Sequence, residues 1–163
     1  MTDPFALHHD GLVQVHRALS GAFATVIAAP DLPHIIPAAR TAAGFLNGHH
    51  MMESEVLFPG LRKRARLRST DVGFLDACDR EHHELHLLNE RLLAAATAPH
   101  PAKIAIVSLA RDIATHLAIH TKEEEAGLSP ERLSEVISIE GFLEIGRELE
   151  DARARALAAL GQQ

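Results

Sequence analysis

Apolar residues recur at intervals of three and four along most of the chain, the period of a helix that buries one face. From about Asp3 to Ala29 the stripe is Phe5, Leu12, Val13, Leu19, Phe23, Val26 and Ile27. Asp3 followed by Pro4 supplies a cap with proline in the first turn. The proline-rich stretch AAPDLPHIIP predicts a turn. A second helix is expected from about Pro37 to Arg68, unless Pro59-Gly60 breaks or kinks it. Its basic end, from Arg62 to Arg68, suits the negative pole of the helix dipole. Ser69-Thr70-Asp71 opens a third helix, which runs to about Ala98 through Phe74, Leu75, Leu85, Leu88, Leu92 and Leu93. After the break at APHPAK, a fourth covers roughly Pro101 to Ala126, with Ile104, Val107, Leu109, Ile113, Leu117 and Ile119. Beyond Gly127-Leu128-Ser129-Pro130, one or two shorter helices reach Gln163, the last of them amphipathic and laced with charge. Nothing reads as a strand. Long helices joined by short connections predict an all-α fold, an antiparallel up-down-up-down four-helix bundle over residues 1–130. Residues 131–163 are then a C-terminal helical extension packed on the same domain.

Composition narrows the function. The 163 residues are 47% apolar and 23% charged, the balance of an ordinary globular domain with a real core. No apolar run approaches the ~18 residues of a membrane span, and the first residues lack the pattern of a signal peptide. A single cysteine, Cys78, forbids an internal disulfide and fits a cytoplasmic location. The formal net charge of -6 disfavours nucleic acid as a partner. Twelve histidines are the outlier. They are spread from His8 to His120, mostly inside apolar-periodic segments, and histidine is the commonest metal ligand.

Residues four apart share a helix face, about 5–6 Å apart at Cβ, and can share a metal. Three such pairs fall on three helices: His49 with Glu53, His82 with His86, and His120 with Glu124. The first helix adds His16. His16 and His49 lie at nearly equal distances from the turn near residue 33, which puts them at one level of an antiparallel hairpin. An internal repeat links the second and fourth helices: in HHMMESEVLFP (49–59) and HTKEEEAGLSP (120–130) the His, Glu, Leu and Pro positions coincide. His9 is an alternative to His16, His83 to His82, and Glu125 to Glu124. Seven protein ligands call for two metals, and carboxylates can bridge them. Imidazole with carboxylate suits iron, whereas closed zinc sites lean on cysteine. The chain has no Glu-x-x-His pair of the kind used by carboxylate-rich di-iron oxidases, and no tyrosine for a radical role.

One histidine, then HxxxE, HxxxH and HxxxE, is a pattern that resembles the hemerythrin family in its bacterial HHE-domain form. The stretch Glu55-Val56-Leu57-Phe58-Pro59 and the Glu81-His82 pair followed by Leu85 are also similar to that family. The resemblance covers roughly residues 5 to 130. It implies two non-haem iron ions with an oxo or hydroxo bridge, held by His16, His49, Glu53, His82, His86, His120 and Glu124, with Glu53 and Glu124 bridging. It further implies dioxygen binding or sensing, or alternatively action on nitric oxide or hydrogen peroxide, or iron storage. The chain departs from the family in Ser129, which stands before Pro130 where a phenylalanine is expected; the four-residue spacing from His120 to Glu124 fits the HHE form, whereas marine-type members widen it to five.

Overall fold

The computed structural model describes residues 3–160, and among them every regular element is helical. The helices are α1 (Pro4–Ala28), α2 (Leu32–Met52), a π-helical turn (Glu53–Leu57), α3 (Phe58–Arg64), α4 (Ser69–Thr97), α5 (Lys103–Gly127), α6 (Pro130–Val136) and α7 (Ile139–Leu160).

Their starts follow from local chemistry. The Asp3 carboxylate accepts from the Phe5 N–H at 3.0 Å and Pro4 occupies the first turn of α1. Asp31 does the same for α2, accepting from the His34 N–H at 3.1 Å. The turn expected over AAPDLPHIIP is therefore confined to residues 29–31, and α2 begins at Leu32 rather than Pro37. Pro33 lies in its first turn, where a missing N–H costs nothing. Pro37 gives up a hydrogen bond but lies within the second turn, and Ile35, Ala39 and Ala42 pack on either side of it. At Pro59 the helix does not break. It passes through a π turn, with the Phe58 N–H reaching the Glu53 carbonyl, and resumes as α3. Asp71 caps α4 by accepting from the Arg68 N–H at 2.9 Å.

The helices pack as a bundle: α1 lies against α2 and α5, and α4 against α5 and α2. Two apolar clusters form its core. One gathers Leu19, Phe23, Ile35, Leu46, Leu85, Leu92, Ile113 and Leu117. The other gathers Phe5, Leu12, Leu57, Phe58, Leu75, Cys78 and Leu128, and here α6, α7 and the turn between them contribute Leu133, Ile137, Phe142 and Ile145. The C-terminal segment thus completes the second cluster. It approaches closely at Gly60, where a Cβ would lie 2.9 Å from Ile145 Cγ1. Arg64 ties α3 to α7 through Glu144 (3.0 Å) and Glu148 (2.6 Å). Between the two clusters each long helix crosses a polar layer: His16 follows Leu12 and precedes Leu19, and on α4 His82 stands between Cys78 and Leu85. No helix among the described residues is long and apolar enough to cross a membrane.

Candidate metal centre

The polar layer holds buried charge and imidazole that no apolar core requires. His16, His50, Glu53, His82, His120 and Glu124 are all buried, and His49 nearly so. Their donor atoms converge in two groups, His16, His49, Glu53 and Glu124 in the first and His50, His82 and His120 in the second, each spanning less than 4.8 Å.

Three of the imidazoles are held by their outer nitrogens. His16 Nδ1–H donates to the Glu125 carboxylate at 2.8 Å, and His120 Nδ1–H to Glu81 at 2.7 Å. His82 Nδ1–H donates to Ser54 Oγ at 2.8 Å in the tautomer that leaves Nε2 as a lone pair. Anchored in this way, the Nε2 atoms point inward. Those of His16 and His49 face each other at 3.1 Å, as do those of His82 and His120. A carboxylate behind an imidazole fixes its tautomer and strengthens it as a metal ligand.

The two carboxylates lie between the groups. Glu53 places Oε1 3.3 Å from His49 and Oε2 3.5 Å from His82. Glu124 places Oε2 3.2 Å from His16 and 3.5 Å from His120. Yet Glu53 Oε2, both oxygens of Glu124 and Nε2 of His50 are buried without a partner in hydrogen-bonding geometry. Buried anionic oxygens left unpaired cost several kcal/mol. A pair of cations in the two groups supplies what they lack, so the residues fit a two-metal site.

The electrostatics agree. Burial, with the crowding of neighbouring imidazoles, pushes His49 and His82 down to about 3 and His50 lower still. These rings are therefore neutral at physiological pH, the form that binds metal. Burial also opposes charge on His16, but Glu124 and Glu125 outweigh it and raise its pKa. Glu53 is raised well above the usual carboxylate range by burial and then by Glu124.

The expected ligands converge here with one exception. His86 does not reach either group: its side chain is half-exposed and lies 3.5 Å from Glu90. The buried stripe of α4 runs through Cys78, His82, Leu85 and Asn89. The step after His82 is therefore three residues, and position 86 falls beside the stripe. The residue that spacing missed is His50, which stacks on His82 at 3.9 Å between ring centroids. Its signal was the stripe Ile35, Ala39, Ala42 and Leu46, which leads to 49 and 50 together.

The open alternatives also find places. His83 is exposed, Glu125 supports His16, and His9 donates to the Glu125 carbonyl at 3.1 Å. His116 bonds the Asp112 carbonyl of its own helix. Cys78 is a buried core residue, its thiol pushed up by burial and by Glu124.

Two clefts open onto the layer. One, of about 490 Å³, lies between α1, α2 and α7 and reaches His49 and Glu53 through Leu12, Val15, Phe45, Met52 and Leu57. The other, of about 520 Å³, lies between α2, the π turn and α4 and reaches His50 and His82.

The family model of the hemerythrin HHE cation binding domain matches residues 7–131. No curated protein and no solved structure matches the chain.

Proposed function

The chain belongs to the hemerythrin family, and from that premise we propose that it is a non-haem di-iron protein that binds dioxygen between its helices. The observation that carries this reading is the position of Glu53 and Glu124, each within reach of both histidine groups. His16 and His49 would hold one iron and His50, His82 and His120 the other, with the two carboxylates shared. The order of the layers along the chain supports an up-down-up-down bundle for residues 1–130. Along α1 and α4 the sequence runs from the second apolar cluster through the polar layer to the first, and along α2 and α5 it runs back. Of residues 131–163, those to 160 are then an extension on the same domain, and 161–163 lie outside the described residues.

Bound ferrous iron supplies the electrons and the exchangeable position that a small oxidant needs. The protein's own part is placement and shelter. The first group offers two imidazoles against three in the second, so His16 and His49 would leave their metal more room for an exchangeable ligand. The cleft lined by Leu12, Val15, Phe45 and Met52, with His8, Gln14 and Arg153 among its polar groups, leads to the His49 side and gives an uncharged diatomic a route to it. Glu125 and Glu81 hold their imidazoles in one orientation, so that ligand exchange does not cost side-chain reorganisation.

Protein expressed with iron and purified without chelators is expected to carry about two irons per chain. Reduced anaerobically and exposed to dioxygen, it should develop a visible absorption band that reverses when the gas is removed. Absence of iron after anaerobic ferrous loading would sink the di-iron reading. Two irons with no spectral response to dioxygen would turn the reading to nitric oxide or hydrogen peroxide, to be compared by the same titration.

A further inference from the structure

The two clefts differ in chemistry. The one that reaches His49 combines apolar side chains such as Leu12, Val15, Phe45 and Leu57 with His8, Gln14 and Arg153, whose guanidinium repels a cation. The one that reaches His50 and His82 is rimmed by Glu55, Asp79, His83 and His86, with Ser54 beside them. Four of the chain's twelve histidines therefore line one opening, two on its floor and two on its rim. A route for neutral gas needs none of these groups.

We propose that the cleft between α2, the π turn and α4 is the port through which ferrous ions reach the centre, with Glu55, His83 and His86 as their transient ligands. The proposal rests on the di-iron reading and adds to it a separate path for the metal. His83 and His86 stand three apart on α4, so both project from one side of the helix. His50 lies on the floor, buried, with an Nε2 that meets no hydrogen-bond partner. Beside it His82 is steadied by Ser54, which itself lines the cleft. An incoming cation thus passes from exposed imidazole and carboxylate to buried imidazole.

Two further observations fit transit rather than residence. Asp79 is engaged by Arg62 at 2.8 Å, which offsets its charge and leaves Glu55 as the free carboxylate of the rim. Among the described residues, donors converge in groups of three or more only at the two inner positions. The rim therefore offers one or two ligands at a time, enough to replace some hydration water and too few to hold the ion. Six waters occupy about 180 Å³ at about 30 Å³ each. A cleft of about 520 Å³ accepts the ion with its hydration shell.

The test is the rate of iron uptake by the metal-free full chain. Wild type, the triple variant E55Q/H83A/H86A and a control variant H34A/H100A, altered at exposed histidines elsewhere, are mixed anaerobically with ferrous ions. Uptake is stopped at intervals with a chelator, and protein-bound iron is measured. All substituted side chains are exposed, so folding is expected to be unaffected. The triple variant should load about tenfold more slowly, in the lower range of electrostatic steering, and reach the same final iron content. The control should load as wild type does. Equal loading rates for all three, with two irons bound at the end, overturn the port and leave the di-iron reading standing. A wild type that takes up no iron overturns both.

Discussion

Replacing Glu53 by glutamine should move stability in opposite directions with and without metal. Glu53 is 4% exposed, and its Oε2 has no hydrogen-bond partner. Burial, reinforced by Glu124, raises its pKa well above the usual range. A carboxyl raised in the folded state favours folding when protonated. Its contribution is thus present below the unfolded value of 4.5 and is lost as pH rises towards the folded value. Each unit of that shift costs about 1.4 kcal/mol once the pH exceeds both values. Glutamine removes the charge and keeps the shape, but leaves a buried amide whose own unmet hydrogen bonds cost about 1–3 kcal/mol. Set against several kcal/mol for a buried unpaired carboxylate, the net gain for the metal-free chain is about 1–3 kcal/mol near neutral pH. At about 2–4 °C per kcal/mol for a chain of this size, Tm rises by roughly 2–12 °C.

With iron bound the sign should reverse, because on the proposed di-iron reading the variant loses a ligand shared by both groups. The assay is thermal unfolding by circular dichroism of both proteins, metal-free and iron-loaded, between pH 4.5 and 8. The metal-free gap in favour of the variant should widen as pH rises. A metal-free E53Q chain less stable than wild type at pH 7 would refute the reasoning, since it would mean that protein groups already satisfy Glu53.

Three further outcomes follow from the same geometry. Glu81→Ala removes the carboxylate 2.7 Å from His120 Nδ1 and should weaken iron affinity about 10–100-fold, measured by chelator competition, with little change in Tm. His50→Ala should lower the iron content of the purified protein, while His86→Ala should leave it unchanged, since only His50 belongs to a converging group. Equal losses in both would refute this placement. Gly60→Ala should cost about 1–3 kcal/mol by urea unfolding, because its Cβ would meet Ile145 Cγ1 at 2.9 Å. Gly21→Ala, which meets nothing within 4 Å inside α1, should instead gain about 1 kcal/mol.

Sequence alone was enough for the helices and for the kind of site they carry. A helical period places every third or fourth residue on one face, so His49 with Glu53, and His120 with Glu124, could be paired without coordinates. Choices between near neighbours were beyond it. Adjacent residues differ by about 100° around a helix, and a step of three or four is equally helical. Whether α4 continues from His82 to Leu85 or to His86 depends on how α2 and α5 seat against it. The structure resolves this by burying Leu85 and leaving His86 half-exposed. The same limit separates Glu124, which faces the histidine groups, from Glu125, which turns to His16 Nδ1. His50 lies three residues before Glu53, outside the four-residue spacing that pairs His49 with Glu53. At the bundle centre both histidines can face inward, since the two groups lie side by side and each takes one. The π turn that follows lets α2 pass Pro59 unbroken. Only packing could reveal the role of the C-terminal helices. Their apolar residues are legible as a stripe, but the second core cluster they complete is made, Leu128 apart, of positions more than fifty residues away in sequence. Local periodicity records which face of a helix is buried; what it is buried against is decided by contacts that sequence spacing does not encode.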